Sequence, residues 1–119
     1  MSEYRVYVLR LQNQVWTKSK RFREENPGYN PKKRKPVVYV GSTGKTIDQR
    51  VADHLAGGRT SNIFVEEYFR RKMAYLYKNL PVFSDRPSAE ALEAKTAKEL
   101  RAKGWGVWGG KSTEGIGSD

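Results

Sequence analysis

Residues 41–46, Gly41-Ser42-Thr43-Gly44-Lys45-Thr46, combine glycines, hydroxyls and an ammonium group, the materials of a phosphate cradle. They follow the apolar run Val37-Val38-Tyr39-Val40 and precede a stretch with helical spacing. A nucleotide loop of the form G-x-x-x-x-G-K-[ST] wraps its backbone amides around phosphates, and its first glycine permits the curl. Gly44-Lys45-Thr46 fits the end of that pattern, but Tyr39 stands where the first glycine belongs, and Gly41 leaves the loop two residues short. No further hydrophobic run ends in the Asp or Glu that would hold Mg²⁺ for nucleotide hydrolysis. The glycines therefore read as a tight turn from strand into helix.

A second concentration of chemistry is electrostatic. Between Thr17 and Lys35 stand eight basic residues, Lys18, Lys20, Arg21, Arg23, Lys32, Lys33, Arg34 and Lys35, against Glu24 and Glu25. That segment carries +6 of the chain's formal net charge of +10. Trp16, Phe22 and Tyr29 are interleaved with the charges, as expected of an arm that follows a nucleic-acid backbone, and Lys45 is a further candidate contact. Polyanions are the partners such a charge favours. There is no cysteine, which excludes disulfides, thiolate metal sites and a cysteine nucleophile, and His54 is the single histidine, which excludes a histidine-rich metal centre. No apolar run reaches membrane-spanning length and Met1 to Leu11 is interrupted by charges, so the expectation is a soluble cytoplasmic protein with no membrane partner.

These groups must be positioned by one compact domain, since 119 residues with 37% hydrophobic side chains support a single modest core. Tyr4 to Leu11 reads as a strand, with Tyr4, Val6 and Val8 on one face and Arg5, Tyr7 and Leu9 on the other. Gln12 to Pro36 reads as a long loop or partly ordered insertion. Thr46 with Gln49 forms a capping box that opens a helix ending near Gly57-Gly58, with Ile47, Val51 and Leu55 as its buried stripe and Arg50 and His54 on a different face. A second helix is expected from Ser61 to about Arg71, built on Ile63, Phe64, Tyr68 and Phe69; Met73 to Phe83 fits helix or strand. The spacing predicts a third helix over Ala89 to Lys103, stopped by Gly104, with Ala89, Leu92, Thr96 and Leu100 as its apolar stripe and Glu93 at the border. Trp105 to Trp108 is a short closing strand, and 109–119 a frayed tail.

Val6-Tyr7-Val8, then Tyr39-Val40-Gly41, then Arg50 and His54, then Glu93 resembles the GIY-YIG nuclease family in order and spacing. The resemblance runs from Tyr4 to about Trp108 and is closest to short stand-alone bacterial domains of this type. It implies an α+β fold with a small, about three-stranded antiparallel sheet flanked by helices, occupying 1–108 with a basic insertion at about 12–36. Arg5 replaces the glycine that opens the first motif, 31 residues separate Tyr7 from Tyr39 where the family has a much shorter link, Ser42 follows the second motif where some members have lysine, and Trp105 stands where many have asparagine.

By that resemblance, Tyr7, Tyr39, Arg50, His54 and Glu93 form a catalytic set for phosphodiester hydrolysis in nucleic acid, with DNA the expected substrate. Glu93 holds one divalent ion, Mg²⁺ or Mn²⁺, and Arg50 forks onto the scissile phosphate. Tyr7 or Tyr39 accepts the proton of the attacking water, which calls for a phenol pKa below its usual ~10. His54 positions Tyr39 or contacts the phosphate. Two other readings remain open: a catalytically silent nucleic-acid-binding module, and an accessory subunit whose insertion docks on an acidic protein.

Overall fold

The computed structural model describes residues 3–57 and 62–110. Its centre is β1 (Arg5–Leu11), paired antiparallel on one side with β2 (Val37–Thr43) and on the other with β3 (Phe69–Lys72). A fourth strand, β4 (Gly106–Gly109), lies parallel to β2, giving the order β3-β1-β2-β4. The expected three-stranded antiparallel sheet is thus a four-stranded mixed one. β1 is apolar on both faces because both are covered. Tyr7, Leu9 and Leu11 join a cluster with Val15, Phe22, Val51 and Val65, while Val6 and Val8 join Val38, Val40, Ala97, Leu100 and Val107 on the other side.

The expected long loop is folded. It forms α1 (Gln14–Lys18), α2 (Lys20–Glu25) and a 3₁₀ turn (Pro31–Lys33), with Ser19 accepting a hydrogen bond from the Phe22 amide to cap α2. Its aromatic residues do not form a free arm. Phe22 is fully buried against the rings of Phe64 and Trp108, and Tyr29 packs on Trp16. Asn26 is the main tie between this segment and the sheet: its amide donates to the Val107 carbonyl at 2.9 Å and accepts from the Val107 N–H at 2.7 Å. One side chain thereby supplies β4 with the pairing that a neighbouring strand would give.

α3 (Ile47–Ala56) begins with the expected Thr46–Gln49 capping box and ends at Gly57, whose φ is +75°. Its buried side is turned from the expected one: Val51 and His54 face the sheet, while Leu55 is 48% exposed. The helix expected to reach Arg71 stops earlier. α4 (Ile63–Tyr68) leaves Ile63 exposed, and Phe69 turns extended because the free edge of β1 takes the following residues as β3. Tertiary pairing overrides local helix preference there. Met73 to Phe83 contains the short α5 (Ala74–Tyr77), and Phe83 bridges back to Tyr4.

α6 (Arg86–Ala102) starts three residues before the expected Ala89, capped by Asp85 on the Ser88 amide, and buries Ala89, Glu93, Ala97 and Leu100. Glu93 therefore lies within the buried stripe rather than at its border. The fold continues past Trp108, since β4 includes Gly109 and Gly110 is buried. Residues 111–119 of the expected tail, with Gly58 and Ser61 at the expected helix ends, lie outside the described residues. Among the described residues, no helix is long and apolar enough to cross a membrane.

Asn26→Ala would strand the Val107 N–H at the buried sheet edge and release α2 from β4. The expected loss is about 2–4 kcal/mol of unfolding free energy, read as a lower denaturant midpoint at unchanged slope.

Candidate active site

Tyr7 and Tyr39 converge because of what separates them. Tyr7 lies directly opposite Gly41 in the β1–β2 register, and Tyr39 is two residues back along β2 on the same face. A Cβ on residue 41 would stand 2.6 Å from the Tyr7 hydroxyl and 2.8 Å from the Tyr39 ring, so only glycine leaves room for the phenols to meet. Their ring centroids are 6.1 Å apart. The glycine of Tyr39-Val40-Gly41 thus serves close approach rather than chain reversal.

α3 adds two groups to this face. His54 is fully buried, with Nε2 2.9 Å from the Tyr7 hydroxyl and its ring edge-on to Tyr39. Its Nδ1 accepts the Asn62 backbone N–H at 2.9 Å. An amide can only donate, so neutral His54 carries its proton on Nε2 and gives it to the Tyr7 oxygen. Arg50 lies close enough for its charge to act on both phenols, and Tyr7 lies close enough to Tyr39 to favour negative charge there. With His54 donating to its oxygen, the Tyr7 hydroxyl keeps its own proton for another acceptor.

Glu93 reaches the same end of the sheet from α6, only 5% exposed. Ser42 Oγ donates to its Oε1 at 2.7 Å and the Gly110 N–H donates to its Oε2 at 3.0 Å. Gly109 and Gly110 have φ of +94° and +71°, and side chains there would collide with the Val40 carbonyl and Ala97. These donors were missed in the sequence, where Ser42 reads as a departure from a motif and Gly109-Gly110 as the start of a tail. The glycine pair directly after Trp108 was the available signal.

The electrostatics correct one expectation. Burial pushes the Tyr7 phenol well above its usual range, and burial followed by the Glu93 charge pushes Tyr39 up to about 12; Arg50 pulls both down by less. The protein alone does not depress either phenol. Burial and then Arg50 push His54 down to about 4, so it is neutral at pH 7.

Glu93 suits a divalent ion of the magnesium kind. These two hydrogen bonds orient its oxygens, and a single carboxylate matches an ion that retains most of its waters. Among the described residues, no group of three or more acidic, histidine or cysteine side chains forms a closed cage.

The basic candidates divide. Lys18, Lys20, Lys32, Lys33, Arg34 and Lys35 are exposed. Arg21 lies over the Trp108 ring, and Arg23 donates to the Trp16 and Thr17 carbonyls, tying down its own segment. Lys45 pairs with Asp53 at 2.5 Å. Arg5 pairs with Glu3 at 3.0 Å, on the same strand face as Tyr7.

A family model described as the GIY-YIG catalytic domain matches residues 29–106. No curated protein and no solved structure matches the chain. The matched stretch carries Tyr39, Arg50, His54 and Glu93 and begins after Tyr7, which strand pairing returns to the group.

Two outcomes follow from this packing. Gly41→Ala is expected to separate the two phenols and destabilise the domain by about 1–3 kcal/mol, visible as a lower melting temperature. Because His54 has a depressed pKa, its contribution is fully present above the unfolded value near 6.5 and is lost as pH falls toward about 4. Chemical denaturation across that window should show up to about 3 kcal/mol of lost stability, and His54→Gln should flatten that limb.

Proposed function

Because the chain belongs to the GIY-YIG nuclease superfamily, we propose that it is a divalent-metal-dependent endonuclease that hydrolyses phosphodiester bonds in DNA. The observation that carries this reading is the convergence of Tyr7, Tyr39, Arg50 and His54 over Gly41, with Glu93 held beside them by Ser42 and Gly110.

In this mechanism Tyr39 accepts the proton of the attacking water. The order of donors supports that choice over Tyr7: the Asn62 amide fixes the His54 tautomer, His54 donates to the Tyr7 oxygen, and the Tyr7 hydroxyl would turn its own proton to Tyr39, with the Arg50 charge acting on both phenols. Each donor stabilises negative charge at the next oxygen, ending at Tyr39. His54 acts as a positioning residue, and its neutral form at pH 7 keeps the order of donors intact. Arg50 presents a planar fork to the phosphate, which a lysine would not reproduce. Glu93 would hold Mg²⁺ or Mn²⁺, and the bound ion supplies positive charge for the phosphate oxygens and offsets the carboxylate charge that raises Tyr39. The exposed lysines of the insertion are the proposed backbone contacts.

A second reading, nucleic-acid binding without cleavage, draws on the raised pKa of both phenols.

Nicking of supercoiled plasmid, branched DNA and structured RNA with Mg²⁺ or Mn²⁺, beside EDTA, separates the two. Cleavage is expected to require metal and to fall by about 10²–10³ in Glu93→Ala and Tyr39→Phe, with melting temperatures confirming folded variants. A phenol of high pKa is more often deprotonated as pH rises, so the single-turnover rate should climb about tenfold per pH unit above neutrality. Salt-sensitive binding with no cleavage under any of these conditions would establish the silent module instead.

A further inference from the structure

β3 closes the sheet beside β1 with three consecutive cations, Arg70, Arg71 and Lys72, on an exposed edge. Lys72 is neutralised by an ion pair with Asp48. Among the described residues, neither arginine is so paired. Arg71 stands directly opposite Arg10 of β1, and the pairing then slips, with Leu11 opposite Phe69. Arg70 is the extra residue of that bulge, two residues of β3 facing one of β1. Bulges re-aim side chains, and this one gathers Arg70 and Arg71 around Arg10.

Like charges directly opposite on neighbouring strands destabilise a sheet, so this register works against folding unless something offsets it. Among the described residues, Arg10 bonds neutral groups, the Leu11 carbonyl and Asn13 Oδ1. Among the described residues, none forms an ion pair with Arg10, Arg70 or Arg71. Burial, followed by the charges of Arg70 and then Arg71, holds the Arg10 guanidinium below its usual range. Tyr75 of α5 lies close enough to act on Arg10 and exposes 64% of its surface, offering a ring on which a base can stack.

Arg10 is three residues from Tyr7 and therefore lies on the other face of β1. Arg10 is four residues along β1 from Val6, which pairs with Ser42, so roughly 13 Å of strand lies between the cluster and the Ser42–Glu93 end. It is continuous with the basic insertion instead: Arg10 bonds Asn13, and Asn13 bonds the Lys35 carbonyl.

We propose that Arg10, Arg70 and Arg71 form a second anion site that grips backbone phosphates of a nucleic acid several nucleotides from the bond to be cut. This deepens the nucleic-acid reading above and rests on it. Guanidinium groups fork onto phosphate oxygens, and binding there removes the repulsion stored in the β1–β3 register.

The test titrates a fluorescein-labelled duplex DNA at several salt concentrations with the unmodified protein and the double variant Arg70→Gln/Arg71→Gln. Both positions are exposed, and melting curves report whether the variant folds. The slope of log affinity against log salt should shrink by about 1–2 and affinity should fall roughly tenfold, while melting temperature stays level or rises. Arg10→Lys, which keeps the charge and loses the fork, should weaken binding with a smaller change in slope. An unchanged slope in the folded variant would overturn the proposal, and a raised tendency to associate would then show that the arginines keep a free sheet edge from pairing with other chains. An altered slope in a protein that never cleaves would uphold this site and remove the nuclease reading; cleavage with an unaltered slope would do the reverse.

Discussion

Tyr7 and Tyr39 sit on neighbouring strands as a diagonal pair, and their phenols meet only if the position between them leaves the surface of β2 bare. Gly41 meets that condition by having no side chain. The surrounding features depend on it: Tyr7 lies flat enough over β2 for His54 to reach its oxygen from α3, and Arg50 arrives one turn earlier on the same helix. A methyl group would push Tyr7 outward and take the whole hydrogen-bond sequence with it. The turn residues that first suggest a nucleotide loop therefore act through volume.

The opposite side of the site depends on β4. Its parallel alignment with β2 brings Gly109 and Gly110 against Val40 and Ala97, and this contact directs an amide at Glu93. β4 is held in turn by Asn26, whose amide replaces the missing outer strand, and by Phe22 packed on Gly106 and Trp108. The inserted segment is thus part of the support for the carboxylate. Its charges point outward while its aromatic rings point inward, so one stretch of chain serves both the core and the basic surface.

Local signals were enough for the parts of the fold that local rules govern. The Thr46–Gln49 box, the Gly57 stop and the long sixth helix were legible because caps and stops act within a few residues. The two tyrosines, Arg50, His54 and Glu93 were identifiable from motif order, and the structure brings them to one end of the sheet. What escaped depends on distant partners. Phe69 to Lys72 has helix-compatible chemistry and becomes strand only because β1 needs an edge partner. Asn26 in Asn26-Pro27-Gly28 reads as turn punctuation, and nothing nearby shows that its amide meets Val107, 81 residues away. The tilt of α3 that buries His54 instead of Leu55 is likewise set by the phenol it must meet.

The parallel pairing of β2 with β4 also gives the site an order of assembly. β1, β2 and α3 supply the phenol cluster from segments that precede α6 in the chain. The Gly110 amide belongs to the last stretch of the described fold and reaches Glu93 only once β4 has docked. Contacts between segments so far apart in sequence form late, because loop closure must come first. On the ribosome, where messenger and transfer RNA are close by, the carboxylate would lack the Gly110 donor until the rest of the domain is in place.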